Sequence, residues 1–200
     1  MKHILLSFVL AAGTLAAAAD LQQAVSLYNE KKYAEASAML KEITRDEPDN
    51  TEAHQYLGLS LLGEKKTAEA LRELQAADKA ESKSDKTKVG LARVYIEQKN
   101  LDKAKAELTE AAGINADNPE IPYYEGLVAL GKKQHAEAAR LLEKALEMNA
   151  ENDYAHYYLG VAYSSLKRPD KMVDHFETFL KRQPDAPEAE RVQSVLRAVR

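Results

Sequence analysis

Beyond the first twenty residues, His54, His135, His156 and His175 are the side chains best suited to hold a transition metal or to move a proton. No two of them stand at the i, i+4 spacing that puts a histidine pair on one helix face, so we expect no metal site. A phosphate-binding loop is suggested by GLVALGKK, residues 126–133, which carries Gly-x-x-x-x-Gly-Lys. However, Lys133 stands where such a loop needs Ser or Thr, no strand precedes it, and the same glycine pair recurs as Gly58 and Gly63. Both pairs read as helix packing and helix ending. The serines carry no motif that would bring a histidine and an acid to them. The sequence has no cysteine, which removes thiol catalysis, thiolate metal ligands, disulfides and lipid attachment at a cysteine. The expectation is a protein without catalysis, cofactor or metal.

The 200 residues, 45% hydrophobic and 30% charged, suit one ordinary soluble domain with a real core. The net charge of −4 provides no general basic field of the kind that drives nucleic-acid binding, so DNA and RNA are not expected partners. Abundant Ala, Leu, Glu and Lys with few β-branched residues point to helix.

Residues 1–19 have the layout of a secretory signal peptide: Lys2, an apolar run from Ile4, and small residues at Ala17 and Ala19 before Asp20. The apolar run, broken by Gly13 and Thr14, is shorter than the about twenty residues of a membrane span, which disfavours a retained N-terminal anchor. Cleavage after Ala19 and a periplasmic or secreted location are expected. Asp20 would then cap the first helix, with Gln23 completing a capping box.

A step of 34 residues runs through the rest of the chain without insertion or deletion. Ala24, Gly58, Ala92, Gly126 and Gly160 form a small series, and so do Ala36, Ala70, Ala104 and Ala138, which ends at Met172. Leu40, Leu74, Leu108, Leu142 and Phe176 form a large one. Five units follow, at 17–50, 51–84, 85–118, 119–152 and 153–186. Within a unit the apolar spacing is helical: Leu57, Leu61 and Leu62 lie on one stripe, Ala70, Leu74 and Ala77 on another, with GEKKT as a turn between. Small residues at the crossing let two helices approach closely while large ones fill the adjacent space. One such hairpin cannot bury its own apolar face, but stacked neighbours can. Residues 187–200 place Val192, Val195, Leu196 and Val199 on one face, as expected of a helix covering the last unit, with Met172, Phe176 and Phe179 shaped to receive it.

LGLSLL (57–62) followed by AEALRELQAA (68–77), and YLGVAY (158–163) followed by FETFLKRQPD (176–185), resemble tetratricopeptide repeats, which pair Leu-Gly-x-x-Tyr on one helix with Ala-x-x-x-Phe and a closing Pro on the next. Departures are local. The family's first-helix aromatic becomes Asp20, His54, Lys88, Pro122 and His156; Ser82, Ala116 and Ala150 replace the closing proline; Glu125 stands where leucine is usual. The resemblance implies an all-α fold, a right-handed superhelix of five hairpins plus a capping helix, acting as an interaction scaffold. It also implies that the histidine rings at 54 and 156 fill the space of that aromatic.

In this family the first helix of each repeat lines the concave face. By register that groove is expected to carry Leu21, Val25, Tyr28 and Asn29; Gln55, Leu59 and Leu62; Val89, Arg93, Ile96 and Glu97; Tyr123, Leu127 and Leu130; Tyr154, Tyr157, Val161 and Ser164. A mostly apolar, tyrosine-rich surface suits a protein or peptide segment, with an apolar small molecule or lipid as the alternative cargo. The Lys-Asn carboxylate clamp of some members is not expected, since Asn29 alone matches. Lys31-Lys32, Lys65-Lys66, Lys99, Lys132-Lys133 and Lys167-Arg168 all fall at the turn inside a unit, where the helix dipole favours cations, and a basic edge meeting an anionic surface is the functional reading.

Overall fold

A computed structural model describes residues 18–80 and 83–199. Of the expected leader, residues 1–17 lie outside this set, as do Glu81 and Ser82. Every regular element among the described residues is an α-helix. They are α1 (18–29), α2 (Tyr33–Asp46), α3 (Thr51–Gly63), α4 (Thr67–Ala80), α5 (Asp85–Glu97) and α6 (Leu101–Ile114), then α7 (Glu120–Gly131), α8 (His135–Met148), α9 (Asp153–Ser165), α10 (Pro169–Arg182) and α11 (Ala189–Val199). None of these helices is long and apolar enough to cross a membrane. Residues 18 and 19 are already helical, so Asp20 lies inside α1 and not at its N-cap. The capping geometry expected from the sequence would require the chain to start at Asp20.

The chain forms two compact units, one running to Val94 and the other from Tyr95. In the first, α2 packs on α3 and α3 on α4; in the second, α6 packs on α7, α7 on α8, α8 on α9, α9 on α10 and α10 on α11. The small-against-large rule explains the hairpin contacts. A Cβ added at Gly58 would lie 2.5 Å from Leu74 Cγ, and one at Gly126 would lie 2.7 Å from Leu142 Cγ. One at Gly160 would strike the Phe176 ring. The large rungs Leu40, Leu74, Leu108, Leu142 and Phe176 are all buried.

Each first helix ends in the same way. Lys31, Lys65, Lys99, Lys133 and Lys167 adopt left-handed φ between 56° and 62°, and the next residue's N–H donates back across the final turn: Lys32 to the Leu27 carbonyl, Lys66 to Leu61, Asn100 to Tyr95, Gln134 to Ala129 and Arg168 to Tyr163. These are Schellman closures, which satisfy the orphan carbonyls of the helix end. The lysine in the left-handed position is unusual, because glycine carries no Cβ penalty there. Between repeats, Asn50 and Asn152 cap α3 and α9 by accepting from Ala53 and Ala155 N–H, while Asn100, in the inner turn, caps α6 by accepting from Lys103 N–H. The GLVALGKK segment is helical through Gly131, and neither glycine has positive φ; Gly126 faces Leu142 and Gly131 faces Leu101.

In the second unit, α11 sets Ala189, Val192 and Leu196 inward, and Val192 and Leu196 share one core cluster with Met172, Phe176 and Phe179. Val199, expected on the same face, is the last residue of α11 and is exposed instead.

Candidate functional site

The first-helix stripe divides by burial once the neighbouring helices are in place. Gln55, Leu59, Leu62, Val89 and Tyr157, all expected to line a groove, are at most 9% exposed and belong to the interior. Gln55 Oε1 accepts from the Ser84 hydroxyl at 2.5 Å and the Thr87 hydroxyl at 2.9 Å, a strut from α3 to the start of α5. Leu59 reaches toward Gly90 on α5. Tyr157 lies in an aromatic cluster, 5.3 Å from the Phe179 ring, 5.0 Å from Tyr158 and 6.2 Å from Phe176. Leu62 and Val89 are buried with them, so these five side chains offer little surface to a partner. Of the rest, Leu21, Val25, Tyr28, Arg93, Ile96, Tyr123, Leu127, Leu130, Tyr154 and Val161 are half-buried, and Asn29, Glu97 and Ser164 are exposed.

In the second unit the half-buried members form a wall on α7 and α9, which are in contact. Tyr123 stacks edge-on with Tyr124 at 4.9 Å and with Tyr158 at 6.1 Å. Tyr158, absent from the sequence-based set, therefore joins this surface; its register match to Tyr56 and Tyr124 was the available signal. Burial pushes the Tyr154 and Tyr158 hydroxyls above their usual range, so both remain neutral hydrogen-bond donors near neutral pH. The Tyr154 hydroxyl donates to Glu188 at 3.2 Å, just before α11. Beside it, Val161 and Ser164 line a cavity of about 190 Å³ together with Arg191 and Val195 of α11, so the cap borders this end of the surface. In the first unit, Tyr28 meets Tyr56 at 5.4 Å and Tyr33 at 5.8 Å, and Lys86 Nζ donates to the Tyr56 hydroxyl at 3.2 Å.

The histidines pair with residues 19 positions later, across their own hairpins. His54 Nδ1 lies 2.7 Å from Glu73 Oε2, while its Nε2 lies 2.9 Å from the Pro48 carbonyl. At the equivalent positions in the last hairpin, His156 Nδ1 and His175 Nδ1 are 3.0 Å apart. The rings' centroid separation of 5.3 Å exceeds this by about two ring radii, so the two nitrogens point at each other and share one N–H. His175 also stacks on Tyr163 with the ring planes 2° apart, and Tyr163 donates to Glu143 while accepting from Lys171 at 2.9 Å. Both imidazoles are held below their usual range, chiefly by burial. No group of three or more metal-ligating side chains occurs among the described residues.

The exposed lysines divide as well. Lys32 pairs with Glu30, Lys66 with Glu64 and Lys132 with Asp102, at 2.6–2.8 Å. Their neighbours in the left-handed position, Lys31, Lys65, Lys99, Lys133 and Lys167, make no ion pair among the described residues and are exposed.

Two tetratricopeptide-repeat models match the sequence, one over residues 61–128 and again over 129–196, the other over 21–85. No curated protein matches it in sequence. Solved structures with the same fold include a thermophilic tetratricopeptide-repeat protein of Thermus thermophilus, with TM-score 0.76 and 19% identity over 90% of this chain and 98% of that one. Pseudomonas aeruginosa pilF aligns with TM-score 0.74 and 20% identity over 93% and 85%. YrrB, described as a TPR protein with an unusual peptide-binding site, aligns with TM-score 0.59 and 18% identity over 88% and 90%. With hairpins, matched repeats and these folds in agreement, the chain belongs to the tetratricopeptide-repeat family.

Proposed function

We propose that the protein is a non-catalytic scaffold of the bacterial cell envelope that captures an extended or helical segment of a partner protein on the tyrosine-bearing first helices of its second unit. The observation that carries this reading is the half-buried wall of Tyr123, Leu127 and Leu130 on α7 with Tyr154 and Tyr158 on the contacting α9. Tyrosine offers a large rigid area with one polar handle, which is how a groove gains affinity without ordering many flexible side chains. The TPR fold supports an interaction role, and one structural neighbour is described as having a peptide-binding site. Tyr123→Ala and Leu127→Ala should each weaken partner capture by at least about tenfold, the effect of losing one interface anchor, with helix content unchanged. Unchanged capture in both variants would remove the groove from the reading.

The envelope location rests on the leader-like residues 1–19, and the mass of the exported protein should correspond to a chain that begins at Asp20. A second contact is favoured by the five unpaired left-handed lysines. It is a weak attachment to an anionic surface that fades steeply with salt.

A further inference from the structure

In steps of 34 residues, Glu125 occupies the position of Leu57, Leu91 and Leu159, which are 1%, 2% and 0% exposed. Where those leucines fill the interior, the carboxylate is only half-buried and borders a cavity of about 140 Å³ between α6, α7 and α8, floored by Leu108, Val128, Ala129 and Leu141. The cavity lies on a different stripe of α7 from Tyr123, Leu127 and Leu130. The Glu125 carboxylate meets no donor at hydrogen-bond or ion-pair distance among the described residues. Two cations of the rim are already engaged, Lys132 with Asp102 at 2.6 Å and Arg140 with both Glu137 oxygens at 2.6 and 2.9 Å. Burial raises the carboxyl above its usual range despite the nearby Lys144, Arg140 and Lys105.

A partly desolvated carboxylate without a partner is a cost that a leucine would avoid, and rules of a fold are broken in this way where a ligand supplies the missing contact. The apolar floor, inside a rim of Lys105, Lys132, Gln134, Glu137 and Arg140, accepts a short hydrocarbon stem. We propose that the Glu125 cavity binds a primary ammonium group on a short apolar stem. The ammonium donates charge-assisted hydrogen bonds to Glu125 and the stem lies along the apolar floor. The same chemistry comes from a free alkylamine or from a lysine side chain of a partner protein. Lys105, which lines the cavity without pairing with Glu125, competes with the ligand for the carboxylate.

The test uses the full chain with n-pentylamine, Nα-acetyl-lysine methylamide and 1-pentanol as probes, followed by NMR titration. The amines should bind with roughly millimolar dissociation constants and the alcohol at least about tenfold more weakly. Tighter binding of the lysine amide identifies a protein side chain as the source, and tighter binding of pentylamine a free amine. Glu125→Gln should weaken both amines about tenfold or more. Glu125→Leu should abolish binding and raise Tm by about 2–4 °C by restoring the leucine of the other repeats. Lys105→Ala should tighten amine binding. Equal binding of pentanol and pentylamine, undiminished binding in Glu125→Gln, or loss of binding in Lys105→Ala would each overturn the proposal. Tyr123→Ala should leave amine binding unchanged, which separates this site from the groove.

Discussion

At the scale of single residues, His156 and His175 show what a local exchange does to a repeated contact. The same two positions hold His54 and Glu73 in the second hairpin, a base beside an acid; in the last hairpin two bases share one N–H. Around them stand Asp153 and Arg182 near His156, and Glu143, Lys171, Asp174 and Tyr163 near His175. Both imidazoles titrate below the unfolded value of about 6.5, so the unfolded chain binds protons more readily as pH falls. Stability from this pair is therefore present above about pH 6.5 and lost as pH drops through the depressed folded values. Thermal melts should show Tm falling between about pH 7.5 and 5.5, and His175→Glu, which recreates the base-acid pair, should flatten that fall. A pH profile unchanged by His175→Glu would show that the pair does not govern it. Gly160 gives a second residue-scale prediction. Alanine gains about 1 kcal/mol in helix propensity, but its methyl strikes the Phe176 ring, and overpacking costs about 1–3 kcal/mol. Gly160→Ala should therefore lower stability, measured by urea denaturation, whereas the packing at Ala24 and Ala92 already accommodates a methyl.

At the scale of elements, the turn after each first helix is closed by the same backbone bonds with a lysine in the left-handed region. Placing an L-residue there costs about 1–2 kcal/mol, whereas glycine gives back about 0.4–1 kcal/mol in unfolded-state entropy. Lys133→Gly should then stabilise by about 0.5–1 kcal/mol in denaturant titration. If the lysines serve an anionic surface, the triple change of Lys99, Lys133 and Lys167 to glycine should keep or raise stability while abolishing binding to vesicles containing anionic lipid at low salt. Retained vesicle binding would leave the lysines without that role.

At the scale of the whole molecule, consecutive hairpins within each unit rest on one another, so a defect should weaken the repeats beside it more than distant ones. Leu196→Asp puts a charge into the cluster that α11 shares with Phe176 and Phe179. Amide exchange should accelerate in α9, α10 and α11 and stay near its original rate in α3 and α4. Equal acceleration throughout would mean that the described chain unfolds as one cooperative body.

The sequence by itself determined the architecture: the uninterrupted step of 34, the small-against-large rungs and the lysines at every inner turn all follow from periodicity, which needs no knowledge of partners. Recurrence of the glycine pair read GLVALGKK as helix packing and helix ending; the structure shows packing for both, Gly126 against Leu142 and Gly131 against Leu101, while the left-handed Lys133 ends the helix in place of a glycine. Only the tertiary structure decided which residues of the first-helix stripe remain accessible. Register places Tyr123 and Tyr157 at the same position, yet Tyr123 is half-buried while Tyr157 is enclosed by Phe176, Phe179 and Tyr158, which come from its own and the following helix. Burial depends on the size of side chains brought in from neighbouring helices, and so does the cavity left at Glu125. The meeting of His156 with His175 across a hairpin has the same origin: period places residues on a face, but the opposing helix determines what they touch.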